Sequence, residues 1–173
     1  MKRSQMKLTY TSFISPLGWV LLATTERGLG FVGLGDVENT LAMDLAAMFP
    51  QAALQREARA LVAIEMALRA YLAGNGPCAP LPLDAPGTRF QQQVWAALTT
   101  IPYGETRNYG QIAAQLGLGR GAARAVGAAC KANPVALVIP CHRVIGSDGQ
   151  LHGFRAGLER KRWLLALEQQ GRV

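Results

Sequence analysis

The chain has 173 residues, half of them hydrophobic and 17% charged, with a net charge of +7. That is enough apolar material for one domain, or for two small ones sharing an interface, and too little charge for extended disorder. No apolar run of roughly 18 residues occurs, so no transmembrane helix and no membrane partner are expected. The three cysteines, Cys78, Cys130 and Cys141, are odd in number and irregularly spaced. They point to a reducing compartment, the cytoplasm, rather than to a disulfide framework. There is no Cys-x-x-Cys pair, and His142 and His152 are the only histidines, so no metal site and no cofactor are expected.

In chain order, Lys2, Arg3 and Lys7 precede Leu8–Ser15, which reads as a strand and not as a signal-peptide apolar region. Trp19–Thr25 and Leu29–Leu34 read as a hairpin around the turn Glu26-Arg27-Gly28. A short amphipathic helix is predicted over Thr40–Met48. A longer one over Ala58–Leu72 places Leu61, Ile64, Leu68 and Leu72 on one face, for core packing. Gly74-Asn75-Gly76-Pro77 stops it, and Leu81-Pro82-Leu83-Asp84 reads as an edge strand. A domain boundary is expected near residue 86, giving an α/β unit over 1–86 and a mainly α unit over 87–173.

Thr88 is a candidate cap for a helix through Phe90, Val94, Trp95 and Leu98, ended by Ile101-Pro102-Tyr103-Gly104. Asn108–Leu116, Gly117-Leu118-Gly119 and Ala122–Cys130 have the pattern of a helix-turn-helix. The short apolar run Ala136–Ile139 leads into Pro140-Cys141. A last helix spans about Gly157–Gln169, with Leu158, Leu164, Leu165 and Leu167 available for packing.

Charge is divided unevenly between these halves. Residues 1–86 hold seven basic and seven acidic side chains, and residues 87–173 hold eleven and four. The excess cation suits a polyanionic partner, but charge alone does not separate DNA from RNA or an acidic membrane. The second helix of the pair sharpens this. Ala122-Ala123-Arg124-Ala125-Val126-Gly127-Ala128-Ala129 is smooth, and one long cation projects from it. It lacks the Asn, Gln and Ser side chains that read base edges. Such a surface suits a groove contacted for shape and charge, with Arg124 entering the base stack.

Cys141 follows proline and precedes His142 and Arg143, so nearby positive charge is expected to favour a nucleophilic thiolate. In extended chain, neighbouring side chains point apart. His142 would then reach Cys141 through a water, oriented by a carboxylate. The candidates are Glu105, Asp148, Glu159 and Glu168. Glu168, among Leu165 and Leu167 on the last helix, is the choice; the alternative is a solvent-facing residue at a frayed end.

Pro140-Cys141-His142-Arg143-Val144-Ile145 resembles the active-site signature of the O6-alkylguanine-DNA alkyltransferases, the methylated-DNA–protein-cysteine methyltransferases. The likeness extends over residues 88–168, through Phe90–Trp95, Ile101–Thr106, Tyr109–Ala113, Ala122–Gly127, Asn133-Pro134, Gly153-Phe154 and Gly157–Leu165. It implies a ribonuclease-H-like N-terminal α/β domain without catalytic residues of its own, and a C-terminal domain that carries DNA binding and catalysis. It implies single-turnover transfer of the alkyl group from O6-alkylguanine, or O4-alkylthymine, to Cys141.

The resemblance also assigns roles. His142 is base through water, Glu168 its orienter, and Asn133 supports the turn. Tyr109 helps flip the nucleotide and donates to guanine N3. The carbonyls of Cys141 and Val144 receive the guanine amino group, and the Arg155 amide faces O6. The implied DNA-binding set is Arg124, Tyr109, Ala123, Ala125, Gly127, Lys131 and Ser147; the pocket is Val144, Arg155, Phe154 and Cys130. The partner is alkylated duplex DNA, bound by a monomer through the minor groove, which requires base flipping because O6 lies in the major groove. Phe154 stands where many relatives have Tyr, and His152 where a small residue is usual. The competing readings are a non-catalytic lesion binder, a helix-turn-helix transcription regulator and a thiol hydrolase.

Overall fold

The computed structural model describes residues 6–171. Strands β1 (Lys7–Ser15), β2 (Gly18–Thr24) and β3 (Leu29–Gly35) form an antiparallel meander. A fourth strand, β4 (Ala53–Arg56), adds parallel to β1, so the sheet order is β3-β2-β1-β4. Helix α1 (Glu38–Met48) packs on one face and α2 (Ala58–Leu72) lies against β1. The β2 side chains alternate between two clusters. Leu21 and Ala23 join Leu8, Phe31, Leu41 and Leu45 under α1. Val20 and Leu22 join Phe13, Leu61, Leu68 and Tyr71 on the other side. Burial on both faces explains why β2 reads as an unbroken apolar run rather than an alternating one.

The second cluster continues without a break into the C-terminal half, through Val94, Trp95, Leu98, Ile112, Val126, Ile139 and Leu164. Helix α3 (Arg89–Thr99) opens on a capping box: Thr88 accepts from the Gln91 amide while the Gln91 side chain accepts from the Thr88 amide. Asn108 and Gln111 repeat the device at α4 (Tyr109–Gln115). A single 3₁₀ turn, Arg120–Ala122, precedes α5 (Ala123–Lys131). Trp95 Nε1 donates to the Ala129 carbonyl at 2.9 Å and fastens α3 to α5. The short strands β5 (Arg107–Asn108) and β6 (Val144–Ile145) pair in parallel, and α6 (Leu158–Gln170) closes the chain. None of the described helices is long and apolar enough to cross a membrane.

Three expectations need correction. The edge strand at Leu81–Asp84 is one parallel bridge, Leu83 to Leu29, because Pro82 within it and Pro80 just before it leave few amides for a ladder. Strand β4 was not anticipated; its four residues are all exposed and carry no alternation. On α6 the buried positions are Lys161, Leu164 and Glu168, while Leu158 is exposed and Leu165 and Leu167 are half-buried. The helix turns a stripe holding two charges inward.

Candidate active site

The outer edge of β3 positions the site. Val32 donates to the Pro134 carbonyl at 2.9 Å and accepts from the Ala136 amide at 3.1 Å. That pairing anchors the stretch between Asn133 and Cys141 to the N-terminal sheet. Within it, Leu137 is buried at φ +72°, a left-handed conformation that costs a bulky residue energy and persists only where packing enforces it. The turn brings Asn133 under Cys141. Asn133 Oδ1 accepts from the Val135 amide at 2.9 Å, which fixes the amide orientation. Its two Nδ2 hydrogens then go to the Ile139 carbonyl at 2.8 Å and to Cys141 Sγ at 3.1 Å.

Cys141–Arg143 form a 3₁₀ turn rather than extended chain. The two neighbours still part, though for a different geometric reason than expected. Cys141 stays with Asn133, and His142 turns into the interior, where its Nε2 lies 2.8 Å from Glu168 Oε1. His142 and Glu168 are both fully buried. Glu168 Oε1 also accepts from the Tyr71 hydroxyl at 2.6 Å and from Arg143 Nη2 at 3.0 Å. Oε2 accepts from Arg143 Nε and from the Gly104 amide, each at 2.9 Å. Gly104 has φ +76°, which lets the turn after Tyr103 aim that amide at the carboxylate. Of the other three candidate carboxylates, Glu105 pairs with Arg107, Asp148 lies near His152, and Glu159 is exposed on α6.

Hydrogen bonds from His142, Arg143 and Tyr71 overcome the burial of Glu168 and hold its carboxyl far below the usual carboxylate range. Burial pushes His142 down, against the pull of Glu168, so the imidazole is neutral. Its Nδ1 is buried and has no hydrogen-bond partner among the described residues. Cys141 is pushed up by burial, opposed by the Asn133 hydrogen bond and by Lys161. The resting group is therefore a thiol, whose proton has to leave before the sulfur can attack.

The source of positive charge is corrected. Arg143 faces away, onto Glu168 and the Ile101 carbonyl. The cation that favours the Cys141 thiolate is Lys161, fully buried on α6, with Nζ 2.6 Å from the Val144 carbonyl and 2.7 Å from the His152 carbonyl. Sequence reasoning missed Lys161 and Tyr71. Lys161 sits between Arg160 and Arg162 and reads as part of a solvated basic cluster; Tyr71 reads as one more packing residue beside Leu72.

Tyr109 opens α4 directly after β5, whose pairing with β6 sets it beside the chain leaving Cys141. Its ring faces Gly127, where an added Cβ would sit 3.7 Å away, and its hydroxyl donates to the His152 carbonyl at 3.1 Å. Burial, then the two nearby thiols, pushes Tyr109 up to about 12, so it is a donor at neutral pH. On α5, Arg124, Ala125, Ala128 and Lys131 are exposed and Ala123 and Gly127 half-buried. Ser147 is exposed in the following loop. Cys130, Asn133, Cys141, Phe154 and Arg155 line one cavity of about 60 Å³, whose far wall is β3. The Val144 carbonyl faces Lys161 and the Cys141 carbonyl accepts from the Val144 amide. Each carbonyl keeps a second lone pair for a ligand. His152 lies outside the cavity, exposed, 3.5 Å from Asp148.

Residues 89–170 match the family model for the 6-O-methylguanine DNA methyltransferase DNA binding domain. The chain is 46% identical to a methylated-DNA–protein-cysteine methyltransferase of Mycobacterium leprae over 158 residues, which is 91% of this chain and 90% of that one. The crystal structure of the Mycobacterium tuberculosis O6-methylguanine methyltransferase superposes with a TM-score of 0.83 at 42% identity, covering 96% and 95% of the two chains. The structure of the OGT of the same organism in complex with DNA gives 0.82 at 42% identity, covering 94% of each.

Proposed function

The chain belongs to the methylated-DNA–protein-cysteine methyltransferase family, and from that premise we propose how its own residues carry the reaction. It repairs DNA by direct reversal, moving the alkyl group of an O6-alkylguanine onto a cysteine. Cys141 is that cysteine. The observation that carries the assignment is its sulfur, held by Asn133 Nδ2 at 3.1 Å in a residue that lines the cavity and is followed in the chain by the buried His142.

The thiol proton leaves through a bridging water to His142 Nδ1. Sγ attacks the alkyl carbon in line, the S–C bond forms and the C–O6 bond breaks. The electron pair passes to the guanine, which Tyr109 meets with a hydrogen bond at N3 once its hydroxyl leaves the His152 carbonyl. The proton lost by the thiol ends on the repaired base. Glu168 orients the imidazole and stays ionised, since its oxygens are occupied by four other donors besides His142. A thioether is a poor leaving group, so each molecule reacts once.

We read α4, the glycine turn and α5 as a helix-turn-helix that lies in the minor groove. Ala123, Ala125 and Gly127 would face the groove, Lys131 and Ser147 the phosphates, and Arg124 the gap left by the flipped base. The division at residue 86 and the ribonuclease-H-like character of the N-terminal half belong to the same reading. The four-stranded sheet with a parallel edge strand supports it. Three free cysteines fit a reducing cytoplasm.

Intact-protein mass spectrometry after incubation with O6-methylguanine duplex tests the assignment. One permanent methyl adduct, mapped to Cys141, is expected. Repaired base in excess of protein, or an adduct on another residue, would overturn it.

A further inference from the structure

We infer that Tyr71, contributed by α2 of the N-terminal half, is a positioning residue for alkyl transfer: its hydroxyl fixes the Nε2–H tautomer of His142 and the orientation of Glu168, so that Nδ1 is the base presented towards Cys141. This rests on the reading of Cys141 as acceptor and His142 as base. It gives the N-terminal half, expected to hold no catalytic residues of its own, a part in positioning them.

The geometry is a triangle. Tyr71 Oη lies 2.6 Å from Glu168 Oε1 and 3.1 Å from His142 Nε2, and Nε2 lies 2.8 Å from the same Oε1. A phenol has one hydrogen, and the charged, shorter contact takes it. Towards Nε2 the Tyr71 oxygen therefore offers only lone pairs. An unprotonated Nε2 would set its own lone pair against two acceptors, so the ring proton sits there. The remaining nitrogen, Nδ1, is the buried atom without a partner among the described residues.

The placement of Tyr71 is rigid. The side chain is 1% exposed, its ring is met edge-on by Tyr103 at 6.2 Å and 83°, and it belongs to the core cluster shared by both halves. Burial and the adjacent Glu168 charge raise its pKa well beyond the ordinary phenol range, so it remains a donor. The titratable groups around His142 are Tyr71 from α2, Glu168 and Lys161 from α6, Arg143 and Cys141 from its own turn, and Tyr103 from the loop after α3. Tyr71 is the only one of these from the N-terminal half.

Replacing Tyr71 by Phe removes one hydroxyl and keeps the ring. The Glu168 carboxylate, short of one donor, would stabilise the imidazolium more, so His142 should titrate higher. The rate of transfer to Cys141 should be measured against pH on methylated duplex, with ¹⁵N spectra of the two histidines, His142 and His152. The plateau is expected to fall about tenfold, the rate equivalent of one hydrogen bond to a charged group. The acidic midpoint is expected to move up in pH, with the His142 ring nitrogens titrating at the same higher midpoint. Fluorotyrosine at position 71, a stronger donor in the same ring, should move the midpoint the other way. Opposite shifts in the two variants support the inference. A plateau loss with a fixed midpoint is what loosened packing produces and would overturn it, as would unchanged profiles and spectra. If the unaltered protein forms no adduct on Cys141, the proposed function fails instead, and the histidine titrations still decide the role of Tyr71.

Discussion

Glu168→Gln puts the largest strain on the site. The carboxylate is fully buried, and its two oxygens accept from Tyr71, His142, Arg143 and the Gly104 amide. Glutamine keeps one acceptor and turns an NH₂ towards groups that now donate to the carboxylate. It also leaves Arg143, 9% exposed at its side chain, without its anion. Removing one partner of a buried ion pair costs about 3–5 kcal/mol. For a chain of this length that is a fall in Tm of roughly 6–20 °C. The loss should depend on pH with a definite sign. The folded carboxyl is depressed, so the stabilisation is fully present above the unfolded value of about 4.3 and fades as pH falls towards the folded one. The gap between the two proteins should thus be flat near neutrality and close in acid. Alkyl transfer should slow by about 10²–10⁴, the usual scale of general-base assistance. Calorimetry from pH 3 to 8 and single-turnover kinetics on methylated duplex make the measurement. A variant that reacts within about threefold of the parent and melts at the same temperature would refute the account of Glu168.

Two further substitutions probe other parts of the site. Lys161→Met removes the cation that favours the Cys141 thiolate and leaves the Val144 and His152 carbonyls without their ammonium donor. Cys141 should then ionise only at higher pH. Its reaction with a small alkylating agent near neutral pH should slow about tenfold for each pH unit by which its titration midpoint rises; an unchanged rate would show that Lys161 acts on packing alone. Arg124→Ala leaves the buried array untouched, because the residue is exposed on α5. Repair in duplex DNA should fall about 10–100-fold, the scale of one to three kilocalories lost per contact, while transfer from a free alkylated base stays the same; equal loss on both substrates would contradict intercalation.

How much of this was legible in the sequence depends on the range of the determining interactions. The bounds of α2 and the cap of α3 were readable because they are set locally, by spacing and by Thr88 with Gln91. Strand β4 was not, since its place is set by backbone pairing with β1, some forty-five residues earlier. The buried stripe of α6 was misjudged because apolar count was the only local signal. What actually buries Lys161 and Glu168 is the presence of their partners, contributed by the turn after Cys141, the loop at Gly104 and helix α2. The pairing of Glu168 with His142 could be anticipated because the chemistry read from the sequence demanded a carboxylate and few were on offer. No such demand pointed to a tyrosine seventy residues before the nucleophile.

The charges inside the site account for how a nucleophile can be kept in reserve. Lys161 and Arg143 are buried cations and Glu168 a buried anion, while Cys141 and His142 rest neutral. Burial also pushes Lys161 down, and the neighbouring thiols, once ionised, pull it back up, so charge on sulfur and charge on Lys161 support one another. Burial alone would make a thiolate too costly to reach; Lys161 and the Asn133 hydrogen bond lower that cost without removing it. A standing thiolate would be open to oxidation and to stray electrophiles. On the mechanism proposed above, holding the proton until a water can pass it to Nδ1 would confine the reactive form to the moment when an alkyl carbon is in line. The two halves of the chain meet here: β3 holds the Asn133–Cys141 turn in place, and the Tyr71 hydroxyl donates to Glu168 beside His142.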